Sequence, residues 1–343
     1  MYIPHSKPYI NGASANAISD CLGSGNIAKG SIAARFANEL SAYIGINEQS
    51  LQLATSGSAA LFLALKAIDI QPGDEVIIPT YVCSSVAETI IRAGGQPVFS
   101  DISDNWLMMP EDVVKCISPK TKAIVAVHIF GICAPVSEYR KFGLPVIEDC
   151  CQLFAHTVNG VSIGVDADFA FYSFHATKCL TTGEGGAVTC INSSYAERFA
   201  QVCEEYASLF PLSDIACALG LSQLNDYDAM QARRISIANY YFNNLPEAYT
   251  SSLKSVGASL YFRFPLRIKE GDFEAIKEKA HHEGVAIRKG VDELLHLKYN
   301  TGHTCPNAEA LFKETVSVPI YPALTDAEAA KVCSVINTLT DEN

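Results

Sequence analysis

The sequence has no apolar run long enough to cross a bilayer. Its first residues, Met1-Tyr2-Ile3-Pro4-His5, lack the basic stretch followed by an apolar one that marks a secretory leader. Basic residues are scarce: 25 Lys and Arg stand against 37 Asp and Glu, a formal net charge of −12. That balance argues against nucleic acid as the main partner, because neutralising phosphates needs clustered cations. It leaves room for a small anionic substrate, since a few local donors override the global field. Internal repeats and low-complexity tracts are absent. So is any CxxC pair, although the chain carries 12 cysteines. Their spacing lays out neither a disulfide framework nor a zinc site. Buried, reduced thiols in a cytoplasmic protein are the expectation, and no metal; zinc is the alternative, without His–Cys spacing behind it.

What is present is an ordinary globular composition: 343 residues, 49% hydrophobic and 18% charged. This suffices for one large domain and a smaller one. Between residues 51 and 135, helix-like and strand-like segments alternate. Helical spacing over Ser58–Ile68 is followed by a short apolar strand at Val76–Pro79. A helix at Val86–Ala93, ended by Gly94-Gly95, precedes a strand at Pro97–Phe99. Thr121–Ile129 and Pro145–Asp149 read as further buried strands. Short apolar strands alternating with helices signify a parallel sheet covered on both faces. Such a sheet takes its ligand beyond the carboxyl ends of its strands, where Asp149 lies. Ser213–Tyr241 reads as a helix and Tyr261–Leu266 as a strand. Phe273–Glu283 and Asp326–Leu339 read as helices, the last with Thr325 as N-cap. The expected domains are 1–235 and a smaller α+β unit, 236–343.

Four stretches carry chemistry. Thr55-Ser56-Gly57-Ser58 opens a helix, where free N–H groups and the positive dipole end attract phosphate. Glu148-Asp149-Cys150-Cys151-Gln152 ends an apolar strand and places a carboxylate where it meets a protonated ring nitrogen. Asp168 to Lys178 runs from a strand into a turn holding Ser173, His175, Thr177 and Lys178, and Gly183-Glu184-Gly185-Gly186 follows. A lysine desolvated just past a buried strand is nucleophilic towards a carbonyl. Each stretch alone has an ordinary reading: a helix cap, a capping acid, a loop lysine. Together they supply a phosphate site, a pyridinium partner, a second phosphate hydroxyl and an imine-forming amine, the requirements of pyridoxal 5'-phosphate.

These stretches resemble the DegT/DnrJ/StrS family of sugar aminotransferases, and the likeness spans nearly the whole chain. It also takes in Gly73-Asp74-Glu75, Gly94-Gly95-Gln96-Pro97, His128-Ile129-Phe130-Gly131, Gly220-Leu221-Ser222-Gln223 with Arg233, and Val318-Pro319 with Tyr321-Pro322. The resemblance implies the three-layer α/β fold of aspartate aminotransferase, with a mostly parallel central sheet and a smaller C-terminal α+β domain. It implies that Lys178 carries the cofactor as a Schiff base and moves the proton after exchange. Asp149 would pair with the pyridine nitrogen, and Gln152 would lie by the ring and its phenolic oxygen. Gly57, Ser58 and Ser173 would bind phosphate. The substrate implied is a keto-sugar, nucleotide-linked, with glutamate as amino donor, in a homodimer sharing its active sites. Relatives with histidine at the lysine position dehydrate sugars; Lys178 points to transamination.

Two departures from the family pattern stand out. Cys83 occupies the position of an aromatic ring over the cofactor, so a small sulfur would make that contact, or Tyr81 would adapt. The segment Tyr206–Leu212 is short, with Leu209 near the place of an asparagine that reaches a neighbouring subunit's phosphate. Another carbonyl substrate, without a nucleotide, is therefore the alternative, and a non-catalytic relative that binds cofactor or sugar is a third reading. His128 is expected to be structural, His175 to stack near the cofactor or fill its turn. His281, His282, Arg288 and Lys289 read as solvated surface, with Arg288 or Lys289 available to an anionic substrate.

Overall fold

The apolar segments between residues 51 and 190 pair into one sheet. In the computed structural model, which describes residues 2–154, 157–257, 259–269 and 271–341, the strands are β1 (Leu51–Ala54), β2 (Glu75–Pro79), β3 (Gln96–Ser100), β4 (Thr121–Val127), β5 (Val146–Asp149), β6 (Thr157–Val158), β7 (Val161–Ser162), β8 (Phe169–Ser173), β9 (Gly186–Cys190), β10 (Phe264–Arg267), β11 (Arg288–Lys289) and β12 (Thr315–Val318). Seven of them form a sheet in the order β1-β9-β8-β5-β4-β2-β3. The five from β3 to β8 run parallel. β9 and β1 add antiparallel at one edge. The expected mostly parallel sheet is thus present. Ile124, Val125, Ile147 and Phe169 are wholly buried, as befits strands covered on both faces.

Register places the site. Val127 on β4 pairs with Asp149 on β5, and Asp149 pairs with Phe171 on β8. The carboxyl ends of three neighbouring strands therefore finish along one edge, where open parallel sheets receive ligands. The helix Gly57–Ala67 packs against β8 and β9. Its sequence, GSAALFLALKA, is apolar on nearly every face because nearly every face is covered.

The helix expected over Ser213–Tyr241 runs from Asp214 to Asn244, with the Ser213 side chain accepting from the Ala216 N–H. The junction expected at 235/236 falls inside this unbroken 31-residue helix. Beyond it, β10, β12 and β11 form a three-stranded antiparallel sheet. The helices Phe273–His282 and Asp326–Asp341 accompany it. Thr325 and Glu328 cap the latter reciprocally, Thr325 Oγ1 accepting from the Glu328 N–H and the Glu328 carboxylate from the Thr325 N–H. The first residues of the chain join this C-terminal part: Ile3 bridges Val285, and the His5 ring lies 2.9 Å from Ser317 Oγ.

The strand expected from Tyr261 begins at Phe264 instead. Tyr261 has φ 52°, which no strand accommodates. Residues 260–263 dock on the turn after β4: Leu260 N–H donates to Gly131 O at 3.0 Å and Arg263 N–H to Phe130 O at 3.4 Å. This detour carries Phe262 and Arg263 to the edge where Asp149 lies. All twelve cysteines are free, and most are buried. Among the described residues no helix is long and apolar enough to cross a membrane.

Candidate active site

Ser56 caps the helix Gly57–Ala67, its hydroxyl accepting from the Ala59 N–H at 3.1 Å. The N–H groups of Gly57 and Ser58 have no carbonyl inside the helix to meet, and they stand at its positive end. Close packing fixes this turn against the strands. A Cβ on Gly57 would lie 2.8 Å from Ser173 Cβ and 3.4 Å from Cys151 Sγ, and a Cβ on Gly186 would lie 2.5 Å from the Ser56 carbonyl carbon. Glycine at both places lets the helix start approach the end of β8, and Ser173 is that end. Gly57, Ser58 and Ser173 thereby surround one small concavity of donors.

Asp149, the last residue of β5, is 6% exposed and accepts from the Cys151 N–H at 3.0 Å through Oδ1. Burial raises its carboxyl pKa above the usual range, while the Cys151 hydrogen bonds and the nearby Lys178 charge oppose the rise. A buried acid with these partners is completed by a cationic ring N–H. Gln152 Oε1 accepts from the Phe130 N–H at 2.7 Å, which fixes the amide orientation and leaves its NH2 without a hydrogen-bond partner among the described residues.

Lys178 follows β8 by five residues. Its N–H donates to His175 O at 2.8 Å, and the turn is closed by Phe174 N–H to Gly185 O at 2.8 Å and Thr182 N–H to Phe174 O at 2.9 Å. The Gly-rich stretch 183–186 therefore serves as the clamp for the lysine turn. Lys178 Nζ lies 5.1 Å from the centre of the Phe262 ring. One cleft of about 480 Å³ is lined by Gly57, Ser58, Cys83, Asp149, Gln152, Ser173 and Lys178, every residue the sequence marked for the cofactor.

Tyr81 does not reach this cleft. It is fully buried, edge-on to Phe130 at 6.2 Å, so it supplies no substitute for the missing aromatic face. Cys83, exposed at the start of the helix Ser84–Ala93, holds that position alone. His175 lines the cleft mouth, its ring 2.9 Å from Thr177 Oγ1. Tyr206 and Phe210 pack on Phe62 of the Gly57–Ala67 helix, while Leu209 between them is 62% exposed.

His128 lies outside the cleft, 1% exposed. Its Nδ1 accepts from the Ala134 N–H at 2.9 Å, so Nε2 carries the proton and donates to Glu148 Oε1 at 2.8 Å. Cys150 sits close to both, giving three side chains of metal-ligand type in one buried cluster. A metal on Nε2 would leave neither ring nitrogen protonated, since Nδ1 already accepts, and the cluster is better described as a hydrogen-bonded support beneath Asp149.

The C-terminal part adds Phe262, Arg263, Arg288, Gly290 and Asp292 to the cleft wall. Of these, only Arg288 had drawn notice in the sequence. Arg263, a charge inside the apolar run Phe262-Arg263-Phe264, was the available signal for the others.

The donor set fits pyridoxal phosphate: a helix N-terminus with two hydroxyls for the phosphate, a buried acid for the ring nitrogen, an amide donor beside the ring, and a lysine. The sequence model of the DegT/DnrJ/EryC1/StrS aminotransferase family matches residues 8–337. The chain belongs to that family, and it is a pyridoxal phosphate-dependent aminotransferase. Among its relatives, the spore coat polysaccharide biosynthesis protein SpsC of Bacillus subtilis is 30% identical, over 98% of this chain and 97% of that one. GDP-perosamine synthase of Vibrio cholerae is 26% identical, over 97% and 98%. The PLP form of Spr1654 from Streptococcus pneumoniae has the same fold, with a TM-score of 0.88 at 24% identity, covering 100% of this chain and 99% of that one.

Proposed function

We propose that this aminotransferase acts on a keto-sugar, nucleotide-linked, with glutamate as amino donor, in a cytoplasmic homodimer that shares its active sites. The names of SpsC and GDP-perosamine synthase support the sugar. In this reading residues 1–235 form the cofactor-binding domain and 236–343 the smaller one, joined through the helix Asp214–Asn244.

The convergence of Lys178, Asp149 and the Gly57–Ser173 concavity on one cleft carries the proposal. Bound pyridoxal phosphate supplies an electron sink for the carbon that gains or loses the amine. Gly57, Ser58 and Ser173 hold the phosphate. Asp149 keeps the ring nitrogen protonated. Gln152 donates beside the ring. Lys178 gives its amine to hold the cofactor and, once released, moves the proton at the reacting carbon. Phe262 packs against the lysine and excludes water on that side.

Purified protein should show the visible absorbance of bound cofactor, and Lys178→Ala should lose it with an unchanged circular dichroism spectrum. A colourless wild type indifferent to pyridoxal phosphate would sink the reading. Sedimentation tests the dimer: a monomer at working concentration removes the shared-site element.

Cys83 and the short Tyr206–Leu212 segment favour a second reading, a carbonyl substrate without a nucleotide. Screening nucleotide-linked keto-sugars against free ketoses and aminocyclitol precursors separates the two. Half-reaction spectroscopy with an amino donor tests the non-catalytic reading, since only a catalyst converts the cofactor to its amine form.

A further inference from the structure

Asp149, the acid proposed for the ring nitrogen, takes two hydrogen bonds from one neighbour. Cys151 N–H donates to Asp149 Oδ1 at 3.0 Å, and the Cys151 thiol hydrogen-bonds the same carboxylate. That thiol keeps its proton: burial first, and then the Asp149 charge, push it well above the ordinary cysteine range, against the opposing Lys178 charge. The thiol is therefore the donor of this bond and the carboxylate its acceptor. Burial raises the proton affinity of Asp149, and both Cys151 bonds oppose the rise. Donation to the ionised form is what favours charge on a buried acid.

The backbone around Cys151 is pinned on both sides. Cys150 N–H donates to Phe171 O at 2.9 Å, and Leu153 N–H to Cys150 O at 3.2 Å. The Gln152 side chain is held by the Phe130 N–H. The sulfur also adjoins the phosphate turn, since a Cβ on Gly57 would lie 3.4 Å from Cys151 Sγ. Cys151 lines the Lys178 cleft together with Asp149, Gly57 and Ser173. One side chain thus neighbours both the acid and the helix start, two groups whose separation must be fixed if they are to meet one cofactor. A methyl group there would pack against both and donate to neither.

We propose that Cys151 is a positioning residue for Asp149, its thiol orienting the carboxylate towards the ring nitrogen. The inference rests on the assignment of Asp149 to that nitrogen and adds the group that acts through it. The backbone N–H alone binds one oxygen and leaves the carboxylate free to turn about its Cβ–Cγ bond. A second donor on the same pinned residue removes that freedom. A thiol is a weak donor. Its effect is therefore small beside that of the acid itself, and the carboxylate still accepts the stronger N–H of the ring.

The test is a double-mutant cycle on cofactor affinity, read from visible absorbance during titration with pyridoxal phosphate. Cys151→Ala should weaken affinity by about 3–10-fold, the worth of one weak hydrogen bond to a charged acceptor. Cys151→Ser, which keeps a donor, should stay within about twofold of wild type. In an Asp149→Ala background no carboxylate remains to be oriented, and Cys151→Ala should then cost less than about twofold. A packing role gives a different pattern: serine as poor as alanine, and equal losses in both backgrounds. Either result overturns the proposal. Should the alanine variants not fold, the infrared difference between wild type and Cys151→Ser isolates the S–H stretching band of this thiol. The band should be lowered, as for a thiol donating to a carboxylate, and a band at the position of a free thiol overturns the proposal. If Asp149→Ala leaves cofactor affinity unchanged, the assignment of Asp149 to the ring nitrogen fails, and this inference with it. If Asp149→Ala weakens binding while Cys151 follows the packing pattern, only this inference fails.

Discussion

Gly57 and Ser173 meet so closely that a Cβ on the glycine would stand 2.8 Å from Ser173 Cβ. Ser173 ends a strand paired on its far side with Gly186, so it cannot retreat without disturbing the ladder. Helix start and strand end are therefore locked together, and the cradle between them has one size.

Gly57→Ala should break that fit. The added methyl forces a shift costing about 1–3 kcal/mol, at the place proposed for the phosphate. Cofactor affinity, followed by visible absorbance during titration, should fall at least tenfold. Combining it with Ser173→Gly, which removes the opposing Cβ, should recover stability in urea denaturation but not the full affinity, because the hydroxyl is gone.

Asp149→Asn should act in opposite directions on the empty and the loaded protein. Burial raises the Asp149 pKa in the folded chain. A group raised on folding lends its stabilisation at acid pH and loses it as pH rises through the folded value. Without cofactor, the asparagine variant should thus become more stable relative to wild type from the ordinary carboxylate range upward, and match it at low pH. Thermal melts across pH measure this. With cofactor the order should reverse, with affinity reduced about 10–100-fold for loss of a charged hydrogen bond.

Cys83→Phe should restore a ring to the cofactor face. The position is exposed at the head of a helix, so the change adds no strain to the core. A gain of about 0.5–1.5 kcal/mol in cofactor binding is expected from stacking, together with a raised KM for the bulkier substrate. Equilibrium dialysis and steady-state rates read the two effects separately.

His128→Ala should leave Glu148, which is wholly buried, with only the Gly164 N–H on its Oε1. Leaving a buried acceptor without its donor costs about 1–3 kcal/mol, visible as a lowered midpoint in denaturant. Glu148→Gln, which keeps the shape, should cost less.

The sequence was legible wherever chemistry is local. The apolar runs at Val76–Pro79 and Pro145–Asp149 read as buried strands, and the order of Gly57, Asp149, Ser173 and Lys178 pointed to the cofactor. These features depend on spacing and on end-of-element chemistry, and both are properties of neighbouring residues. The end of Tyr81's candidacy, the unbroken helix through residue 235 and the joining of Ile3 and His5 to the C-terminal sheet depend on contacts between distant segments.

Arg263 is the clearest case. In sequence it interrupts a presumed strand, about 85 residues after Lys178. The left-handed turn at Tyr261 and the hydrogen bonds to Phe130 and Gly131 bring it to the cleft that Lys178 lines. The sequence by itself singled out the residues that line one side of the cleft, because each of them sits at the end of an element that its own neighbours define. The tertiary structure alone decided the opposite wall, because it is built where two remote stretches of chain pack together.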